Sequence, residues 1–105
     1  MERFMERLPN IHPGEILQQD FLDPLGVTPY KLAKAIGVTP IRVSEILRAK
    51  RAITPDTALR LARYLGTSAE LWIGLQRQYD LEEVRRANSG LYDAITPLAP
   101  FDKAA

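Results

Sequence analysis

GVTPYKLAKAIGVTP (residues 26–40) repeats the same four residues, GVTP, eleven positions apart. That period is too short for a solenoid or propeller unit. It suits one short helix followed by a tight turn. Thr28-Pro29 and Thr39-Pro40 each join a favoured N-cap to the residue best tolerated at the first helical position. Thr54-Pro55 does so a third time. The repeat is therefore a repeated helix start. Between the first two starts, Leu32, Ala33 and Ile36 make an apolar stripe, and Gly37 stands where a left-handed C′ residue is wanted. Beyond the turn Gly37-Val38-Thr39, the spacing turns Val43, Ile46 and Leu47 inward and Arg42, Ser44, Glu45 and Arg48 outward. Two short helices across a glycine-containing turn make a helix-turn-helix.

Further helices fit around this pair. One starts at Pro13, buries Ile16, Leu17 and Phe21, and is expected to stop near Asp23, since the residue before Pro24 disfavours the α region. After Thr54, the positions of Ala58, Leu61, Ala62 and Leu65 predict an amphipathic helix that Gly66 ends. Thr67 and Glu70 suggest a capping box for a fifth, longer helix, with Leu71, Trp72, Leu75 and Tyr79 on its apolar face. Asn88-Ser89-Gly90 breaks it. No run alternates long enough for a strand, so the expected fold is all-α with five helices. Residues 1–12 form an N-terminal arm, 13–88 the helix-turn-helix domain with a C-terminal dimerisation helix, and 89–105 a loosely ordered tail.

A chain of 105 residues without cysteine has no disulfide framework, thiol nucleophile or cysteine metal site. The start mixes both charge signs, unlike a signal peptide, and no stretch is apolar enough to span a membrane. An intracellular, non-membrane protein is expected. The net charge is only +1, but residues 31–51 hold six basic side chains against Glu45 alone. Residues 1–30 hold two basic against five acidic side chains. Such asymmetry marks a local anion-binding surface. Catalysis is not indicated. His12 is the lone histidine and reads as an N-cap before Pro13, while Glu82-Glu83 precedes Arg85-Arg86 on a solvated surface. There is no phosphate loop, nucleophile elbow or metalloprotease motif, so neither a metal nor a cofactor is expected.

The basic segment and the helix-turn-helix occupy the same residues, which points to DNA. The second helix of such a unit sets its N-terminal residues against base edges. Thr28 and Thr39 are expected to offer hydroxyls to phosphate, and Arg42 and Arg48 to reach bases or phosphates. Ser44 stands beside them, and Lys50 and Arg51 suit the DNA backbone. Glu45 would either accept from a cytosine amino group or hold Arg42 or Arg48 in place. Leu71, Trp72, Leu75 and Tyr79 could close the core, as Trp72 and Leu75 are expected to do in large part. Because a five-helix chain this small cannot readily bury every large side chain of its last helices, these residues of the fifth helix are also expected to form a dimer contact.

HPGEIL near the start, the helix-turn-helix, and ITPDTALRLARYLGTSAELWIGLQRQYDL together resemble the HigA-type antitoxins, a branch of the Xre-like helix-turn-helix proteins. The resemblance covers about residues 10 to 86. It places base-reading positions at Pro40, Ile41 and Glu45, with Arg42 and Ser44 beside them. Ala49 departs from an Asn or Gly common after the recognition helix, and Gly74 from an Asn. The resemblance implies a bacterial cytoplasmic homodimer that binds a palindromic operator and represses its own operon. It also implies a HigB-type toxin, similar to ribosome-dependent mRNA endonucleases, which the antitoxin neutralises. The acidic balance of residues 1–30, including Glu15, Asp20 and Asp23, suits a basic partner of that kind. The same resemblance admits a stand-alone Xre-type repressor without a toxin. A purely protein-binding helical module would lack the basic recognition face.

Overall fold

The computed structural model describes residues 8–99. The first residues of the expected arm and the last of the expected tail lie outside that range. Among the described residues, all regular structure is helical. α1 is built from Pro13–Ile16, a π-helical stretch Leu17–Leu22, and Asp23–Leu25. α2 spans Pro29–Ile36, α3 Pro40–Leu47, α4 Pro55–Leu65 and α5 Ala69–Ala87.

The three Thr-Pro starts act as their chemistry dictates. Thr28, Thr39 and Thr54 are extended N-caps whose hydroxyls accept from the backbone N–H groups of Lys31, Arg42 and Thr57. Gly37 and Gly66 close α2 and α4 in the left-handed region, at φ 75° in both cases. His12 caps α1, its Nδ1 accepting from the Gly14 N–H at 2.9 Å.

Two boundaries differ from the sequence expectation. α1 does not stop near Asp23; it continues through Pro24 to Leu25 and ends at Gly26 in the left-handed region. The wider π turn explains this. The Asp23 N–H reaches back to the Gln18 carbonyl, five residues away. That register relieves the contact between the Pro24 ring and the preceding turn, which a regular α-helix would impose. α5 is capped by Ser68, which accepts from the Leu71 N–H at 3.1 Å, and not by a Thr67–Glu70 capping box. Thr67 serves the core: its hydroxyl accepts from the Trp72 indole N–H at 2.8 Å.

One hydrophobic core joins all five helices, built on Leu17, Leu22, Leu32, Ile36, Val43, Ile46, Leu61 and Trp72 with smaller partners. α2 packs on α3 and α4, α4 on α5, and α1 on α3 and α5. The α1–α3 crossing is close enough to require glycine. A Cβ at Gly14 would overlap the Ile46 carbonyl of α3. Trp72 is fully buried, tilted at 56° against Phe21 with ring centroids 5.2 Å apart. Gln76 is also buried and holds the loop before α4, accepting from the Ile53 N–H at 2.8 Å. Residues 10–12 lie along α5: Asn10 donates to the Tyr79 carbonyl, and His12 meets the Tyr79 ring edge-on. Residues 89–99 are exposed and carry turns and bends but no regular structure. No helix among the described residues is long and apolar enough to cross a membrane.

Candidate nucleic-acid interface

α3 presents its faces as the sequence spacing requires. Val43 and Ile46 are buried. Ile41, Glu45 and Arg48 fall at i, i+4 and i+7, so they share the opposite, outward stripe. Ile41 is 69% exposed, an apolar side chain of that size left in water at the leading turn of the helix. Arg42 and Ser44 flank the stripe and are half-buried. Pro40, Thr28 and Thr39 are exposed at the helix starts. The two threonine hydroxyls are already acceptors for backbone N–H groups, and each keeps its own O–H for donation.

The arginines divide into held and unheld. Arg42 Nη2 donates to Asp56 Oδ2 at 3.0 Å and to Thr57 Oγ1 at 2.5 Å, both on the first turn of α4. Asp56 also receives Arg60 Nε at 3.0 Å, and Arg60 Nη1 reaches the Ile36 carbonyl at 2.8 Å. One carboxylate thus links the start of α3 to α4, and through Arg60 to the end of α2. Hydrogen bonds from Arg42 and then Arg60 hold the Asp56 carboxyl below its ordinary value. Glu45 does not hold Arg42 or Arg48, contrary to one of the two expectations. Arg51 bonds it instead, with Nε at 2.8 Å and Nη2 at 2.7 Å from the same oxygen, Oε1. The backbone explains the choice. Ala49 adopts φ 60°, and the turn it makes carries Arg51 back beside α3. Lys31, Lys34, Arg48 and Lys50 have no acidic partner among the described residues.

Asp56, Thr57 and Arg60 were not singled out from sequence. The Asp56–Arg60 spacing of i, i+4 is a readable helix pair, but the reach of Arg60 to a carbonyl of α2 depends on tertiary packing. The proposed dimer residues separate as well. Trp72 lies at 0% exposure inside the protomer and is removed from any contact between copies. Tyr79 is half-covered by His12, and Leu75 is half-buried against the core. Leu71 is exposed, and so are Leu81 and Val84 further along α5. Leu81 and Val84, with Ile53 and Ile73, line an apolar groove of about 390 Å³.

A helix-turn-helix family model matches residues 19–72, which contain α2, the turn, α3 and α4. Virulence-associated protein I of Dichelobacter nodosus is 46% identical over 92 residues, covering 88% of this chain and 84% of the relative. Antitoxin HigA-1 of Vibrio cholerae is 38% identical over 72 residues, covering 69% of this chain and 68% of that protein. The solved structure of Pseudomonas aeruginosa antitoxin HigA with the higBA promoter superposes with a TM-score of 0.82 at 41% identity. It covers 87% of this chain and 100% of the antitoxin chain. With α3 presented across a glycine turn and these likenesses running through most of the fold, the chain belongs to the helix-turn-helix family of HigA-type antitoxins.

Proposed function

We propose that this protein is a homodimeric antitoxin that binds its own palindromic operator, represses its operon and neutralises a HigB-type toxin, without catalysis of its own. The observation that carries the DNA-binding part is the outward stripe of α3. Exposed Ile41 leads it, and the same segment carries Lys31, Lys34, Arg48 and Lys50, exposed and without acidic partners among the described residues. Ile41 and Pro40 have no side-chain donor and read by apolar contact, best with a thymine methyl. Ser44 and Glu45 lie beside them for hydrogen-bonded reading, and Arg48 continues the stripe. Thr28 and Thr39 donate their hydroxyls to phosphates. Lys50 adds a backbone contact, and Arg51 steadies Glu45. The toxin contact is assigned to a different surface. Glu15, Asp20 and Asp23 are exposed on α1 and suit a basic partner. The HigA structure with promoter DNA supports the operator reading over a purely protein-binding module.

Lys31, Lys34, Arg48 and Lys50 supply up to four phosphate contacts per protomer. A dimer then makes about eight, and log K for the operator falls with log salt at a slope near −7. The experiment is a titration of the chain's own promoter duplex and a scrambled duplex across a salt series. Lys50→Ala should take about two units off the slope and leave sequence preference intact. Equal affinity for both duplexes at every salt concentration would end the operator reading.

A further inference from the structure

We infer that Asp56 is a positioning residue for operator reading: by holding Arg42 it withholds that arginine from phosphates and presents it to an acceptor on the major-groove edge of guanine. The inference rests on the operator-binding reading above and assigns a role to a residue outside α3.

Arg42 lies on the flank of α3 that faces α4. Its Nη2 hydrogens are both committed, one to Asp56 and one to Thr57. Its Nε–H and the two Nη1 hydrogens have no acceptor among the described residues, and the side chain is 26% exposed. The platform under it is fixed. Thr57 is buried at 1% exposure, and Asp56 is tied a second time by Arg60, itself anchored on the Ile36 carbonyl. A guanidinium held this way loses less freedom on binding than a free one.

Charge decides which acceptor it meets. An unpaired arginine beside DNA is drawn to phosphate, the strongest negative group within reach. Asp56 Oδ2 lies 3.0 Å from both Arg42 and Arg60, so the carboxylate lowers the charge that this cluster shows a phosphate from +2 to +1 and weakens its pull on one. Guanine O6 and N7 are uncharged acceptors, so the lowered net charge costs the Arg42 N–H groups little of their attraction to them. The pairing therefore penalises the wrong, sequence-independent contact more than the right one, which is how specificity is gained by repulsion. Lys50 and Arg48, without acidic partners among the described residues, remain for phosphate.

The test compares wild type, Arg42→Ala, Asp56→Asn and the double variant, on the promoter duplex and a scrambled duplex over a salt series. Thermal melts check each fold. Arg42→Ala should weaken operator binding roughly tenfold while leaving the salt slope unchanged. Asp56→Asn should free Arg42 for phosphate, steepening the slope by about two units per dimer, raising affinity for the scrambled duplex and shrinking operator preference. The double variant should match Arg42→Ala alone. Replacing each half-site guanine in turn with 7-deazaguanine should reveal one position that costs wild type several-fold and Arg42→Ala nothing. A slope that flattens by about two units in Arg42→Ala would make Arg42 a phosphate ligand and overturn the inference. So would Asp56→Asn indistinguishable from wild type. Should Asp56→Asn fail to fold, a wild-type operator complex insensitive to 7-deazaguanine at every position overturns it instead. Absence of operator preference in wild type would strike the proposed function itself, a separate outcome.

Discussion

Ala49, in the turn that follows α3, holds a conformation that costs an L-residue energy. At φ 60° its Cβ crowds the neighbouring backbone. The turn is nevertheless kept by the Lys50 N–H bonding the Glu45 carbonyl at 2.7 Å and by Arg51 returning to the Glu45 carboxylate. Glycine adopts this region without that penalty, though it loses more freedom on folding. Ala49→Gly should therefore stabilise the protein by about 1 kcal/mol and raise the melting temperature by about 5 °C. Operator preference should be unchanged, because the Glu45–Arg51 pair survives. A melting temperature equal to or below that of wild type would show that the turn is not strained. Gly14 is the opposite case. Its φ is ordinary, and it is required by the carbonyl of Ile46 across the α1–α3 contact.

At the scale of the element, α1 is pinned at its start by a neutral histidine. His12 is buried, its Nδ1 accepts from Gly14, and its ring meets Tyr79 of α5 with centroids 4.8 Å apart. Burial lowers its pKa from the ordinary 6.5, while Asp80 on α5 and Glu15 on α1 pull the other way without reversing it. The sign follows. Above the unfolded value the ring is neutral in both states, and its contribution to stability is complete. As pH falls through 6.5 the unfolded chain takes up the proton first, so stability declines until the folded pKa is passed. Protonation also removes the Nδ1 acceptor that caps α1. Urea denaturation at pH 7.5 and pH 5.5 should give a lower stability at the acid end. In His12→Asn, which keeps a capping oxygen, that difference should largely vanish. A wild-type stability unchanged between the two pH values would refute the account.

At the scale of the whole molecule, the buried and exposed faces of α5 part company. The fully buried Trp72 belongs to the protomer, so Trp72→Ala should unfold it, at a cost of about 3–5 kcal/mol. Exposed Leu81 and Val84 border the apolar groove on α5 and can be changed without touching the core. Leu81→Asp with Val84→Asp should therefore leave the melting temperature close to wild type and weaken self-association at least tenfold, read by sedimentation equilibrium. Operator affinity should drop with it, since two half-sites are engaged only by a dimer. Unchanged sedimentation in the double variant would move the contact elsewhere on the molecule.

How much was legible in the sequence depended on the range of each interaction. The helix starts at Thr28, Thr39 and Thr54, the ends at Gly37 and Gly66, and the His12 cap rest on bonds spanning two to four residues. Local chemistry of that range was sufficient to determine the helix-turn-helix and its outward stripe. Where two local rules competed, sequence alone chose wrongly. The Pro24 rule predicted an early stop, but a π turn removed the conflict, and Thr67 left its expected cap for the indole of Trp72. The longer-range pairs were decided only in three dimensions. Arg42 meets Asp56 across 14 residues, and Arg60 meets the Ile36 carbonyl across 24. Gln76 meets Ile53 across 23, and Asn10 meets Tyr79 across 69. Periodicity assigns a side chain to a face of its own helix, whereas only the packing of one helix on another determines which charge it finds there.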